Sequence, residues 1–205
     1  MFHFKFLLFL VISVVCLVCP AQESSVYKKQ TPLSSQENPH LDMELSYLSW
    51  KEVVTLKGPG GSEKTYGDYI GNGIDFDYNK YWSPEWGHLI EAGLFFGVAN
   101  LGGTQAVVPY HETNVRWWGL RASYRLSYRI SQQITSSMGP LALYRNINFP
   151  AEASATDVKS GTSANYGLSA DLKILLNPHW LLRTELGTLF VDASTLWSLN
   201  LGYRF

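Results

Sequence analysis

With 16 basic and 17 acidic side chains among 205 residues, a formal net charge of −1, the chain lacks the basic excess of a nucleic-acid binder and shows no site for acidic substrates. Aromatic residues make up 14% and charged residues only 16%, below the quarter or so usual in soluble domains. The length is about one domain's worth of chain.

The N-terminus reads as an export signal. One positive charge, Lys5, precedes an unbroken apolar run, Phe6 to Cys19 (F-L-L-F-L-V-I-S-V-V-C-L-V-C), and the small Ala21 follows Pro20. That run is short of the ~20 apolar residues of a membrane-spanning helix, so residues 1–21 are expected to be a cleaved signal peptide. A retained anchor is the alternative. A lipoprotein is disfavoured, because Val precedes each of Cys16 and Cys19. Both cysteines lie here, and the rest of the chain has no thiol chemistry. Without Lys5, 15 basic and 17 acidic groups remain, a net −2. Residues 22–40, polar and carrying Pro32 and Pro39, are expected to form a flexible periplasmic lead-in.

From 41 to 205 the chain alternates. Successive strand side chains point to opposite faces, and eight segments show the period. In 41–53, Leu41, Met43, Leu45 and Tyr47 oppose Asp42, Glu44 and Ser46. In 66–82, Ile74, Phe76, Tyr78 and Trp82 oppose Asp75, Asp77 and Asn79. In 88–99, Ile90, Ala92, Leu94, Phe96 and Val98 oppose Glu91, Gly93, Phe95 and Gly97. The cleanest is 114–130, where Trp118, Leu120, Ala122, Tyr124, Leu126 and Tyr128 oppose Arg121, Arg125, Arg129 and small residues.

The fifth segment, 131–146, is the weakest. Ser136 and Pro140 fall on its apolar face, and a Pro inside a strand suggests a bulge. In 162–176, Ala164, Tyr166, Leu168, Ala170, Leu172, Ile174 and Leu176 oppose Asn165, Ser169, Asp171 and Lys173. In 180–191, Leu182, Thr184, Leu186 and Phe190 oppose Arg183 and Glu185. The last segment, 195–205 (T-L-W-S-L-N-L-G-Y-R-F), sets Trp197, Leu199, Leu201, Tyr203 and Phe205 against Ser198, Asn200, Gly202 and Arg204, and ends on Phe.

Connection lengths alternate too. Short ones follow the second, fourth and sixth segments (83–87, 130–132, 177–179), and longer ones the first, third and fifth (57–64, 100–113, 147–161). The connection after the seventh, near 192–194, must be tight. Short periplasmic turns with longer outer loops are the rule for membrane barrels, and an even strand count sets both termini on the periplasmic side. The segments are long enough to cross the hydrocarbon core as tilted strands. In lipid only helices and closed barrels satisfy every backbone group. The expected fold is therefore all-β: a transmembrane, antiparallel, up-and-down β-barrel of eight strands over 41–205.

In such a barrel the apolar face meets lipid. The polar face then carries Asp42, Glu44, Asp75, Asp77, Glu91, Asp171 and Glu185 against Arg121, Arg125, Arg129, Arg145, Lys173, Arg183 and Arg204 into the lumen. Eight strands leave room only for side chains, and buried charges must pair, so a salt-bridged plug is expected. A narrow polar channel lined by Arg121, Arg125 and Arg129 is the alternative. A lipocalin-type barrel would turn the two faces the other way, which alternation alone does not decide.

Chemical motifs fail on inspection. Asp75, Asp77 and Asn79 mimic the start of a calcium loop, but Lys80 stands where Gly is needed and Trp86 where Glu is needed. The stretch 58–62 (G-P-G-G-S) lacks the Gly-Lys-Ser/Thr ending of a phosphate loop. No metal-ligand cluster is evident, and no cofactor or catalytic residue is assigned. Lipid A deacylases, also eight-stranded, use a His-x-Ser pair; His88, His111 and His179 do not match it, although His111 and Glu112 near the outer side could form a site.

The stretches W-W-G-L-R-A-S-Y-R-L-S-Y-R-I, L-N-P-H-W-L-L-R-T-E-L-G and S-L-N-L-G-Y-R-F, within 117–205, resemble the OmpA-type outer-membrane β-barrel family. The resemblance implies an eight-stranded barrel in the outer membrane of a Gram-negative bacterium, in contact with outer-membrane lipid and lipopolysaccharide. It also implies recognition of the C-terminal strand, ending at Phe205, by the barrel-assembly machinery. It implies no single function, since members act as anchors, adhesins or small pores. The expected role is structural or one of surface interaction, with any extracellular partner met by the long loops. A narrow pore for small solutes, or a lipid A-modifying enzyme, is the alternative.

Overall fold

The computed structural model describes residues 39–58, 61–102, 111–148, 161–191 and 194–205. The expected signal peptide and nearly all of the lead-in lie outside them. Eight strands run in chain order: β1 (His40–Gly58), β2 (Gly61–Tyr81), β3 (Trp86–Gly102), β4 (His111–Arg129), β5 (Ile134–Asn148), β6 (Gly161–Leu175), β7 (Trp180–Leu189) and β8 (Ser194–Arg204). Each pairs antiparallel with the next, and β8 returns to β1 from Asp42↔Arg204 to Trp50↔Leu196. The sheet is a closed up-and-down barrel, as the alternation predicts.

Three turns at the end carrying both β1's start and the C-terminus share one device. Ser83 Oγ accepts the Trp86 N–H at 2.9 Å, Ser131 Oγ the Ile134 N–H at 3.1 Å and Asn177 Oδ1 the Trp180 N–H at 2.9 Å. Short polar side chains at the first turn position replace ladder bonds the backbone cannot make there. These turns fall where the sequence places them. At the opposite, loop end the reading needs correction. The segment 57–64 is not a long loop: β1 and β2 stay paired to Gly58↔Gly61, so the ladder absorbs what composition marks as loop.

Pro140 also behaves otherwise than expected. Register is the same on both sides of it, from Ser123↔Leu141 to Leu126↔Met138, so the missing donor leaves a gap in the ladder and no bulge. Among the described residues the register shifts between β3 and β4, past Ala99↔Val115, where β4 carries an extra residue before Leu101↔Glu112. Ser136 does face outward, and its hydroxyl donates to the Asp171 carbonyl at 3.2 Å, which satisfies it without water.

The two faces differ sharply. Leu45 and Leu168 on the outer wall are 63% and 55% exposed, whereas Asp75 and Arg125 inside are 0% exposed. Outward aromatic pairs form two belts. Trp86–Tyr128 (4.8 Å), Trp180–Tyr203 (5.5 Å) and Tyr203–Phe205 (5.2 Å) lie at the terminal end. Tyr47–Trp197 (5.2 Å), Trp118–Tyr144 (5.5 Å) and Tyr166–Phe190 (6.0 Å) lie towards the loop end. An apolar band of this extent between aromatic girdles is the surface of a barrel solvated by lipid. The charges-inside arrangement also excludes the lipocalin alternative. Leu120→Arg, mid-wall, should cost about 2–4 kcal/mol of folding free energy in lipid vesicles, read from urea-titrated refolding; an unchanged midpoint would mean that this wall does not face hydrocarbon.

Candidate functional site in the barrel lumen

The inward positions build two stacked layers. The first, towards the terminal end, is ionic. Arg121 on β4 reaches Asp75 on β2 (2.6 Å), Glu91 on β3 and Glu185 on β7 (2.9 Å). Arg125, two inward steps along β4, pairs with Glu91 (2.8 Å), Asp171 and Glu185. Arg183 on β7 meets Glu44 (2.8 Å), Asp77 (3.2 Å) and Glu91 (3.2 Å). Lys173 Nζ lies 2.9 Å from both Asp42 and Asp77 and 3.4 Å from Glu44. Arg204 on β8 closes the layer against Asp42 at 2.9 Å.

Neutral groups complete it. Ser123 Oγ donates to Glu91 (2.9 Å), Ser198 Oγ to Glu185 (3.1 Å), Asn200 to Glu44 (3.0 Å), Asn79 to Asp42 (3.2 Å) and Ser46 to Asp75. Asp42, Glu44 and Asp77 bring carboxylate oxygens within 4.8 Å of one another, a spacing that would suit a cation. That place is taken by the Lys173 ammonium, so the triad holds a side-chain cation in the role of a metal.

The second layer, towards the loop end, is apolar. Leu48, Trp50, Tyr69, Phe95, Val115, Trp117, Leu141, Leu143, Ile147, Leu189 and Leu196 form one buried cluster. Trp50 stacks on Tyr69 (4.6 Å, 10°) and meets Trp117 edge-on (4.8 Å, 82°). The indole N–H of Trp117 donates to the Ile70 and Val98 carbonyls (3.2 and 3.1 Å), and that of Trp50 to Glu52 (3.1 Å). Arg145 clamps Glu52 through Nε (3.0 Å) and a terminal nitrogen (2.6 Å) above this layer. Room for the rings comes from glycine: a Cβ at Gly71 would lie 2.4 Å from the Trp117 ring, and one at Gly73 2.5 Å from the Phe95 ring.

No family model and no curated protein matches the chain. Among solved structures it is similar to the outer membrane protein OprG from Pseudomonas aeruginosa, with 14% identity, a TM-score of 0.57, and coverage of 83% of this chain and 97% of that one. The fold is that of the small eight-stranded outer-membrane β-barrels. Ail of Yersinia pestis (13% identity, TM-score 0.41, 80% and 98% covered) and Neisserial surface protein A (9%, 0.41, 82% and 97%) are also similar to it.

Within this outer-membrane barrel fold, every acid and base assigned to the lumen from the sequence points inward, but they do not all meet. The Arg129 guanidinium lies 4.1 Å from the Tyr81 ring centroid, and Arg145 serves the second layer. Sequence reasoning missed Glu52 and the aromatic layer. Continuing β1's alternation from Ser46 through Leu48 and Trp50 to Glu52 would have found them. His88 and His179 belong to the terminal-end aromatic belt, beside Trp82 and Tyr124 and on Tyr203 respectively. His111 and Glu112 open β4 at the loop end.

Arg183 serves three acids at short range, whereas among the described residues Asp171 is ion-paired with Arg125. Arg183→Met should therefore cost at least about 3 kcal/mol and visibly more than Asp171→Asn, read as the temperature at which the compact gel band is lost. Gly71→Val, which drives a side chain into Trp117, should cost about 1–3 kcal/mol by overpacking in the same assay.

Proposed function

We propose that this is an integral outer-membrane barrel with a closed lumen and a non-catalytic role, structural or in surface interaction. The observation that carries the reading is the reach of Arg121 from β4 to Glu185 on β7, with both side chains fully buried. Such a strut crosses the space a solute would need. The aromatic layer stands as a second barrier above it.

The orientation follows from the turns. The three tight turns and both chain ends of the barrel share one side, which fits the periplasm; the opposite strand ends, such as Gly102 of β3 and Asn148 of β5, then face outward. Residues 1–21 act as the export signal in this reading, and the last strand, ending at Phe205, presents its alternating apolar face to the barrel-assembly machinery. Lipid and lipopolysaccharide surround the outer wall. An extracellular partner would engage the loop end.

In planar lipid bilayers the wild-type protein should give no conductance steps. The variant Trp50→Ala/Trp117→Ala should stay silent because the ionic layer remains. Adding Arg121→Ala, Arg125→Ala and Arg183→Ala to it, which removes the cross-lumen struts, should produce steps. Discrete conductance from the wild type would overturn the closed-lumen reading in favour of the narrow pore.

A further inference from the structure

Two basic side chains stand on the outer wall where β2 ends and β3 begins. The register sets Lys80 directly opposite His88, with Cβ atoms about 5 Å apart at ordinary ladder spacing. Lys80 is exposed and His88 half-buried beside it. The His88 ring lies between Trp82 (5.7 Å) and Tyr124 (5.9 Å), within the terminal-end aromatic belt. Trp86 and Tyr128 continue that belt on the neighbouring strands. The pair therefore stands at the headgroup level of the bilayer, where the apolar band gives way to water.

Their counterparts elsewhere on the wall are satisfied by the chain. Lys51, at the loop end, is held by Asp68 at 3.0 Å. His179, at the same end as His88, stacks on Tyr203 and places Nδ1 3.4 Å from the Arg204 carbonyl. Among the described residues neither Lys80 nor His88 is ion-paired or hydrogen-bonded, to Glu85 of the adjoining turn or to any other group. An ammonium with three donors and an imidazole are thus left side by side, facing outward.

The wall next to them is apolar. One outward step towards mid-wall, Tyr78 faces Ile90 across the ladder, and Leu126 faces His88 from β4; all three are exposed. A free anion would meet only the two bases. An amphiphile would meet the bases with its headgroup and this apolar track with its chains.

We propose that Lys80 and His88 bind the phosphate of an anionic phospholipid whose acyl chains run along Tyr78, Ile90 and Leu126. Lys80 supplies the charge, its stem lying on the wall while the ammonium reaches the headgroup. His88 donates a ring N–H to the same phosphate. With no carboxylate paired to either base, the patch favours an anionic headgroup over a zwitterionic one. The periplasmic leaflet is the one involved, and that assignment rests on the orientation proposed above; the site itself rests only on a lipid-facing wall.

The test uses the purified full chain, folded in detergent micelles and checked by heat-shifted gel migration. Equimolar phosphatidylglycerol and phosphatidylethanolamine with identical acyl chains are added, and native mass spectrometry reads which lipid the barrel retains. The wild type should retain phosphatidylglycerol about fivefold over phosphatidylethanolamine, the worth of one basic side chain at an anionic surface. Lys80→Gln/His88→Gln should abolish the preference and Lys80→Arg should keep it. Lys51→Gln, at the other end of the wall, should leave it unchanged. Equal retention by the wild type, a preference that survives the double variant, or displacement of the lipid by inorganic phosphate (which would give the bases to a soluble anion) each overturns the proposal. Insertion into lipid vesicles is measured alongside. A barrel that inserts yet shows no preference overturns the phospholipid site alone, whereas a chain that does not insert overturns the membrane reading with it.

Discussion

Hydrocarbon accepts no hydrogen bonds, and this one deficiency shapes the whole molecule. Each backbone N–H and C=O within the apolar band needs a partner from the chain itself, so β8 has to close on β1 and no strand in the band can be left at an edge. Closure then fixes parity. Once Leu41, Met43 and Leu45 face lipid, Asp42, Glu44 and Ser46 have nowhere to go but the lumen. The interior chemistry is a consequence of the exterior solvent.

A lumen filled with charge is stable only if the charges are mutually satisfied. Here Arg121, Arg125, Lys173 and Arg183 are each shared among several acids from different strands, so Arg183 ties β7 to β1, β2 and β3 together. The cost of desolvating these groups is offset by multiple short contacts and by Ser and Asn donors that cap remaining carboxylate oxygens. The aromatic layer needs no such compensation and packs as an ordinary core, its indole N–H groups satisfied by carbonyls and Glu52. Division into two zones keeps ionic and apolar groups from interrupting one another.

The sequence made the strands and their faces legible because lipid and lumen select opposite chemistries, as in β4 from Trp118 to Arg129. Legibility failed where that contrast disappears. Around Leu48 and Trp50 the inner face is apolar too, so the alternation fades just where the second layer begins. Partner choice was beyond reach for a different reason: whether Arg145 meets Glu52 or an acid of the first layer depends on the stagger of the strands around the barrel. The first hairpin was misjudged because Gly58, Gly60 and Gly61 signal a loop, whereas neighbouring ladder bonds carry Gly58 and Gly61 into the strands. Pro140 likewise predicted a bulge, but β6 on its other side holds the register.

Asp42 sits on the first strand, and its cations come from the sixth and the last: Lys173 and Arg204. Every ladder except β1–β8 joins neighbours in sequence and can form as a hairpin. The Asp42 contacts cannot form until the sheet curls shut. The Asp42 corner of the ionic layer is therefore a latch that engages on closure. Interactions that form only after the rate-limiting step hold the native state by slowing its opening and leave the rate of insertion almost untouched. If closure follows that step, Arg204 governs how long the finished barrel lasts more than how quickly it is made.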